Sequence, residues 1–143
     1  MGVYTVGYEG KSVDEFFDDL LEAGRGGILD VRANPVSRKY GFAKRSMGRI
    51  AEQLGLTYQH LPELGIPGDR RARLSDFASY QRLLDQYETT MLPGRTTEVK
   101  AAAQLLRSRP SALLCMESDV RCCHRGRLAK RIAADEGLHV THL

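Results

Sequence analysis

The feature that most constrains this chain is its alternation of short β-rich runs with amphipathic helical stretches along 143 residues. Tyr4 to Gly7 reads as a strand. Ser12 then opens a helix with Glu15 three residues on, a capping-box signature, and Val13, Phe16, Phe17, Leu20 and Leu21 follow at helical spacing. Gly24 is the expected stop. Gly27 to Arg32 reads as a second strand. Met47, Ile50, Ala51 and Leu54 mark a short helix closed by Gly55, and Thr57 to Leu61 a third strand broken by Pro62. Gly65 to Arg73 reads as a mobile loop. Ser75 is the expected cap of a helix carrying Phe77, Tyr80, Leu84, Tyr87 and Met91, ended by Pro93-Gly94. Thr96 is the expected cap of the next, with Val99, Ala102, Ala103 and Leu106. Ser111 to Met116 reads as a buried strand, Cys123 to Glu136 as a helix and His139 to Leu143 as a last strand. Strand and helix in alternation predict an α/β fold: a single-domain three-layer sandwich over residues 1–143, with a mainly parallel sheet of about five strands and flanking helices.

In such sheets ligands bind beyond the carboxyl ends of the strands, so the fold class itself predicts a site. The first strand ends at Gly7-Tyr8. The second ends with Asp30 and Arg32, which a spacing of two puts on one face. His60 and then Glu63 follow the third, and Cys115 and Glu117 the fourth. Polar residues near strand ends are ordinary one at a time. Their collection at the same end of every strand is less so.

All three cysteines fall between Cys115 and Arg125, with His124 and two arginines. The C-x5-R spacing of Cys115 and Arg121 occurs in the anion-cradling loops of cysteine phosphatases and rhodanese-like enzymes. Glu117 and Asp119 would repel a phosphate there, and the loop has no glycine for close backbone approach. Glu117 near Cys115 would also raise the thiol pKa. The emphasis therefore moves to Glu117 and His124 as acid–base groups and to Arg32 and Arg125 as anion holders. Cys115 is then nucleophile or pocket wall, and a buried strand cysteine acting as a small apolar residue is the plain alternative. A metal site would draw on Cys115, Cys123 and His124, with zinc the ion suited to them. Their C-x7-C-H spacing matches no compact zinc knuckle, so no cofactor is expected outright. Asn34 to Arg38 forms a rigid turn, and Tyr40 and Phe42 offer stacking surfaces for a base beside Lys44 and Arg45.

Net charge is +3, so charge alone does not point to nucleic acid. Its distribution does so weakly: Arg38, Lys39, Lys44, Arg45 and Arg49 form one group, Arg70, Arg71 and Arg73 a second, and Arg121, Arg125, Arg127, Lys130 and Arg131 a third. Solvated helix faces are the plain alternative. No apolar run approaches the roughly 18 residues of a membrane span. The first six residues carry no signal-peptide pattern, and three cysteines make a poor disulfide framework. A cytoplasmic protein with reduced thiols is expected.

The motifs Thr5-Val6-Gly7-Tyr8, Asp30-Val31-Arg32 with Pro35 and Ser37, Tyr58-Gln59-His60-Leu61-Pro62-Glu63-Leu64-Gly65, and Leu114-Cys115-Met116-Glu117 with Cys123-His124-Arg125 together resemble the DUF488 family. The resemblance runs from Tyr4 to His142-Leu143. It implies a small α/β domain of unassigned function, with motif positions Tyr8, Asp30, Arg32, Pro35, Ser37, His60, Glu63, Cys115, Glu117, Cys123, His124 and Arg125. Val120 stands where the family often has proline, and Ile66 where a second glycine is common.

Taken together, these readings lead to an enzyme, a hydrolase or transferase, acting on a phosphate- or nucleobase-containing substrate. Glu117, His124, Cys115 and Asp30 are its expected catalytic groups. Arg32, Arg125, Tyr8, Ser37, His60 and Glu63 are expected to bind substrate. A non-catalytic nucleic-acid or protein binding module and a zinc or thiol redox sensor are the alternatives. The expected partner is a small anionic substrate or nucleic acid and not a membrane, with homo-oligomerisation left open.

Overall fold

Five parallel strands form one sheet in the order β3-β2-β4-β1-β5. The computed structural model describes residues 2–71, 74 and 76–143. The elements are β1 (Gly2–Gly7), α1 (Val13–Glu22), β2 (Gly27–Asp30), α2 (Lys44–Gln53), β3 (Thr57–His60), α3 (Phe77–Gln86), α4 (Thr96–Ser108), β4 (Ser111–Cys115), α5 (His124–Glu136) and β5 (His139–His142). Every ladder is parallel, and β4 lies between β2 and β1. The α/β sandwich expected from the alternation is therefore what forms. Among the described residues, no helix is long and apolar enough to cross a membrane.

Side-chain alternation divides the core into two layers. On one face Val6, Ile28, Ala112 and Leu114 meet Phe16, Phe17 and Leu20 of α1 and Met47 and Ala51 of α2. On the other, Val3, Leu29 and Leu113 meet α3, α4 and α5 through Leu84, Ala102, Leu128 and Ile132. β2 and β4 are buried along their whole length, whereas the edge strands β3 and β5 are largely exposed on alternate residues. The helices after β1 and β2 thus cover one face, and the helix after β4 covers the other. The connections after β1 and β4, neighbouring strands, therefore leave to opposite faces, and the crevice between their carboxyl ends is the place at which such sheets bind ligands.

Several boundaries differ from expectation for identifiable reasons. β2 ends at Asp30 rather than Arg32, because the Arg32 backbone N–H donates to the Asp30 carboxylate and turns the chain. β4 stops at Cys115 rather than Met116, and Cys123 is the N-cap of α5 rather than its first residue. The expected cap Ser75 and the loop residue Arg73 lie outside the described residues. Asp76 caps α3, in a reciprocal box with Ser79. Thr96 is the first residue of α4, not its cap, and its hydroxyl donates to the Pro93 carbonyl. α3 stops at Gln86 and loosens into a π turn over Tyr87–Met91. There the Thr89 and Thr90 hydroxyls donate to the carbonyls of Asp85 and Gln86, which bends helices, and Pro93 has no N–H to carry the ladder on. The segment expected as a mobile loop contains a 3-10 turn at Gly68–Arg71.

Gly7 closes β1 against the Glu117 backbone, and a Cβ there would overlap the Glu117 carbonyl and crowd the Arg125 guanidinium. Gly48 lies inside α2, where a Cβ would meet only Tyr58 Cδ1 at 3.8 Å. The same substitution should therefore act oppositely at the two positions. In urea unfolding, Gly7→Ala should lose at least about 2 kcal/mol, while Gly48→Ala should gain roughly 0.5–1 kcal/mol. Equal effects at both would contradict the close approach of β1 to the Glu117 segment.

Candidate functional site

Two polar networks are buried side by side at the carboxyl end of the sheet. The first is built on Asp30, at the end of β2. Both its oxygens are taken by Arg32, Nε to Oδ1 at 2.8 Å and Nη2 to Oδ2 at 2.7 Å, and Tyr58 of β3 donates a short hydrogen bond to Oδ2. Arg32 Nη1 donates to the Phe42 carbonyl at 2.7 Å and to the Tyr8 hydroxyl at 3.4 Å. Burial works against the Arg32 charge, but hydrogen bonding to Asp30 and its negative charge more than offset that, so its pKa lies above the ordinary value. Burial, reinforced by Asp30, likewise raises the Tyr58 phenol. Phe42, read from sequence as a stacking surface for a base, is wholly buried and stacks on Tyr8 at a ring separation of 4.5 Å.

The second network surrounds Cys115. Arg125, at the start of α5, is buried and points back under the sheet's end. Its Nη1 donates to the Glu117 carbonyl at 2.5 Å and lies 3.6 Å from Cys115 Sγ; its Nη2 reaches the Ser118 carbonyl at 3.5 Å and its Nε the Thr5 hydroxyl at 3.2 Å. Burial lowers its pKa to about 10, against the pull of Glu117 and Asp119. The Cys115 sulfur lies 3.6 Å from Glu117 Oε2. Arg121, the C-x5-R arginine, is turned to solvent and tied to Asp119, so no phosphatase-like cradle forms around Cys115. Arg125 takes that place from four residues further on. The two networks meet at His124, whose Nε2–H donates to the Val31 carbonyl at 2.7 Å. That bond ties α5 to the end of β2.

Cys115 and Cys123 depart from the expectation of reduced thiols. Their Sγ atoms are within disulfide-bonding distance, with Cα atoms 7.2 Å apart, and Cys122 is the free cysteine. The end of β4 and the N-cap of α5 face each other across the intervening loop, which brings the sulfurs together. Cys115, Cys123 and His124 present three ligand atoms within 4.8 Å of one another.

Of the remaining expected residues, His60 supports the first network from its edge, and Ser37 and Glu63 lie outside both. His60 Nε2 holds the Arg32 carbonyl at 2.7 Å. The Ser37 hydroxyl accepts from the Lys39 backbone N–H, and Glu63 is exposed. Lys39 reaches the Tyr8 carbonyl at 3.3 Å. In the third basic group, Arg121 is bound to Asp119, Arg127 to Asp85 and Glu88, Arg131 to Asp135, and Lys130 lies 4.0 Å from Glu88. Sequence reasoning missed Thr5, Phe42 and Tyr58 as supports. Only Tyr58, two residues before His60, carried a usable signal, since alternation along β3 puts the two on one face.

A pocket of about 240 Å³ opens above the first network, lined by Tyr8, Arg32, Asn34, Val36, Ile66 and Met116 among others. A larger cavity of about 460 Å³ lies at the amino ends of β1 and β5, beside Tyr4, Arg25 and Arg107. The smaller one is favoured as the site because buried charge is concentrated beneath it and it lies beyond the carboxyl ends of the strands.

His142 of β5 extends the second network outwards. The Thr5 hydroxyl accepts from Arg125 Nε and shares a hydrogen bond of 2.6 Å with His142 Nδ1. Burial and then the Arg125 charge lower the His142 pKa from its ordinary 6.5. Below 6.5 the unfolded chain takes up this proton before the folded one does, so stability should fall with pH as this histidine titrates. Urea unfolding from about pH 7.5 to about pH 5.5 should show that decline, and His142→Gln should flatten it. An unchanged slope in the variant would contradict the burial of His142 beside the Arg125 charge.

No curated protein and no solved structure matches the chain. The family described as "Domain of unknown function DUF488" matches residues 12–132, which covers every motif residue from Asp30 to Arg125 and leaves Tyr8 just outside. The chain belongs to the DUF488 family.

Proposed function

We propose that this DUF488 protein is an enzyme, a hydrolase or transferase, that holds a phosphate- or nucleobase-bearing substrate in the pocket above Arg32. The observation that carries the reading is the burial of Asp30, Arg32, Glu117, His124 and Arg125 together at the carboxyl end of the sheet. Burying that many ionisable groups is unfavourable unless they are paired, and such a cluster beside a pocket is a candidate reaction centre.

The roles are assigned from position in the pocket wall and beside it. Arg32 lines the pocket and, with Lys39 near Tyr8, supplies positive charge for an anion. Asn34 offers an amide for a polar edge, and Tyr8 forms part of the wall. Glu117 is the proton-transfer group, with Cys115 against its carboxylate. Met116, part of the pocket wall, stands between those two residues in the chain, so the wall and the reactive pair share one segment. Arg125 positions that segment by its backbone carbonyls. Asp30 and His124 hold the two sides in register, with Asp30 fixing Arg32 and His124 fixing the end of β2. His60, the last residue of β3, supports Arg32 through its carbonyl, and Ser37 and Glu63 lie on the segments that follow β2 and β3. The binding-module alternative is less well supported, because most of the third basic group is engaged with neighbouring carboxylates.

Calorimetry with inorganic phosphate, nucleosides and nucleoside 5′-monophosphates tests the reading. At least one should bind. Lys39→Ala should weaken an anionic ligand about tenfold and reduce its salt dependence. Release of phosphate or base from the bound compound should fall at least about 100-fold in Glu117→Gln. No binding across the panel, or turnover unaffected by Glu117→Gln, would overturn the proposal.

A further inference from the structure

We infer that, in the dithiol state, Cys115, Cys123 and His124 bind one soft divalent cation of the zinc class, with Glu117 bordering the fourth coordination position. Three observations converge on this. The three ligand atoms already lie within 4.8 Å of one another, and all three residues are buried. The His124 ring is oriented by donating Nε2–H to the Val31 carbonyl at 2.7 Å. That tautomer carries its lone pair on Nδ1, and a backbone carbonyl holding the far nitrogen is the usual outer support of a metal-bound imidazole. The carboxylate of Glu117, 3.6 Å from Cys115 Sγ, stands beside the place a fourth ligand takes.

The backbone spacing of the two cysteines argues the same way. Disulfide-linked residues usually keep their Cα atoms roughly 4.4–6.8 Å apart, and here they are 7.2 Å apart. Two thiolates on one zinc ion, each at about 2.3 Å, hold their sulfurs about 3.8 Å apart at tetrahedral angles. That is wider than a disulfide by about 1.7 Å, so a bridging ion suits the longer backbone span. Two cysteines and one histidine form a set that leaves a fourth position for water or substrate. Each thiol surrenders its proton to solvent on binding, so uptake of the ion releases protons and weakens in acid.

The metal site rests on its own geometry; only its use in turnover rests on the enzyme reading. The test is titration of the full chain, treated with a phosphine reductant and then freed of it, with zinc and with cobalt. About one equivalent should bind, and cobalt should give sulfur-to-metal charge-transfer absorption. Cys123→Ser and His124→Ala should weaken binding at least about 100-fold, whereas Cys122→Ser, a neighbouring cysteine outside the set, should bind like the parent. In the parent protein itself, zinc should slow alkylation of Cys115 and Cys123 but not of Cys122, a readout that needs no variant to fold. Failure of the reduced, folded parent to take up metal, or full affinity in Cys123→Ser, would overturn the site. Metal uptake without turnover of any phosphate or nucleoside compound would leave the metal site standing and count against the enzyme reading alone.

Discussion

The Arg125 guanidinium holds the functional end of this molecule together. It rises from the first turn of α5 and reaches β1 through Thr5, the end of β4 through Cys115, and the following loop through the carbonyls of Glu117 and Ser118. A charged group this deeply buried is tolerated because its N–H groups meet acceptors on three segments. The depressed pKa shows that desolvation is only partly offset. Gly7 fits the same arrangement: the Glu117 carbonyl that accepts from Arg125 sits where a side chain on residue 7 would be. Backbone, guanidinium and thiol are therefore positioned by one another.

The Asp30–Arg32 pair plays the corresponding part on the other side of the crevice. A buried ion pair by itself contributes little net stability, since desolvation consumes much of the attraction. Its value here is geometric. Asp30 accepts from Arg32 and Tyr58, and Arg32 in turn holds the Phe42 carbonyl and the Tyr8 hydroxyl. β1, β2, β3 and the loop before α2 thereby converge on one carboxylate. His124 then joins this assembly to the cysteine-bearing one through the Val31 carbonyl.

Much of this was legible in the sequence, and what was not has physical causes. The alternation of strands and helices depends on local periodicity, so Ser12, Phe16, Leu20 and Gly24 announce α1 without outside help. The parallel-sheet rule gathers Tyr8, Asp30, Arg32, His60, Glu63, Cys115 and Glu117 at one end; the structure joins Tyr8, Asp30 and Arg32 in one network and Cys115 and Glu117 in another, with His124 and Arg125 entering from α5, while Glu63 stays exposed. Which arginine faces the thiol was not legible. Arg121 has the familiar spacing, but Asp119 two residues away captures it in solvent, and the N-cap at Cys123 aims Arg125 inwards instead. The roles of Phe42 and Thr5 depend on contacts 10 and 120 residues distant in sequence, beyond any local pattern. The Thr89-Thr90 stretch reads as helix by composition, yet its hydroxyls compete for the carbonyls that the ladder needs.

The strand order has a consequence for how the chain acquires its structure. β1 comes first in sequence, but both its partners, β4 and β5, come last. During synthesis the first strand has no neighbour to pair with until residue 111 and beyond have emerged. β2 and β3 can associate early, while β4 must insert between two pieces already made. An unpaired apolar strand is a template for wrong association, and non-local pairing of this kind is intrinsically slow. The segment that carries the cysteines is thus also the keystone of folding: the crevice comes into being only as the sheet closes around β4.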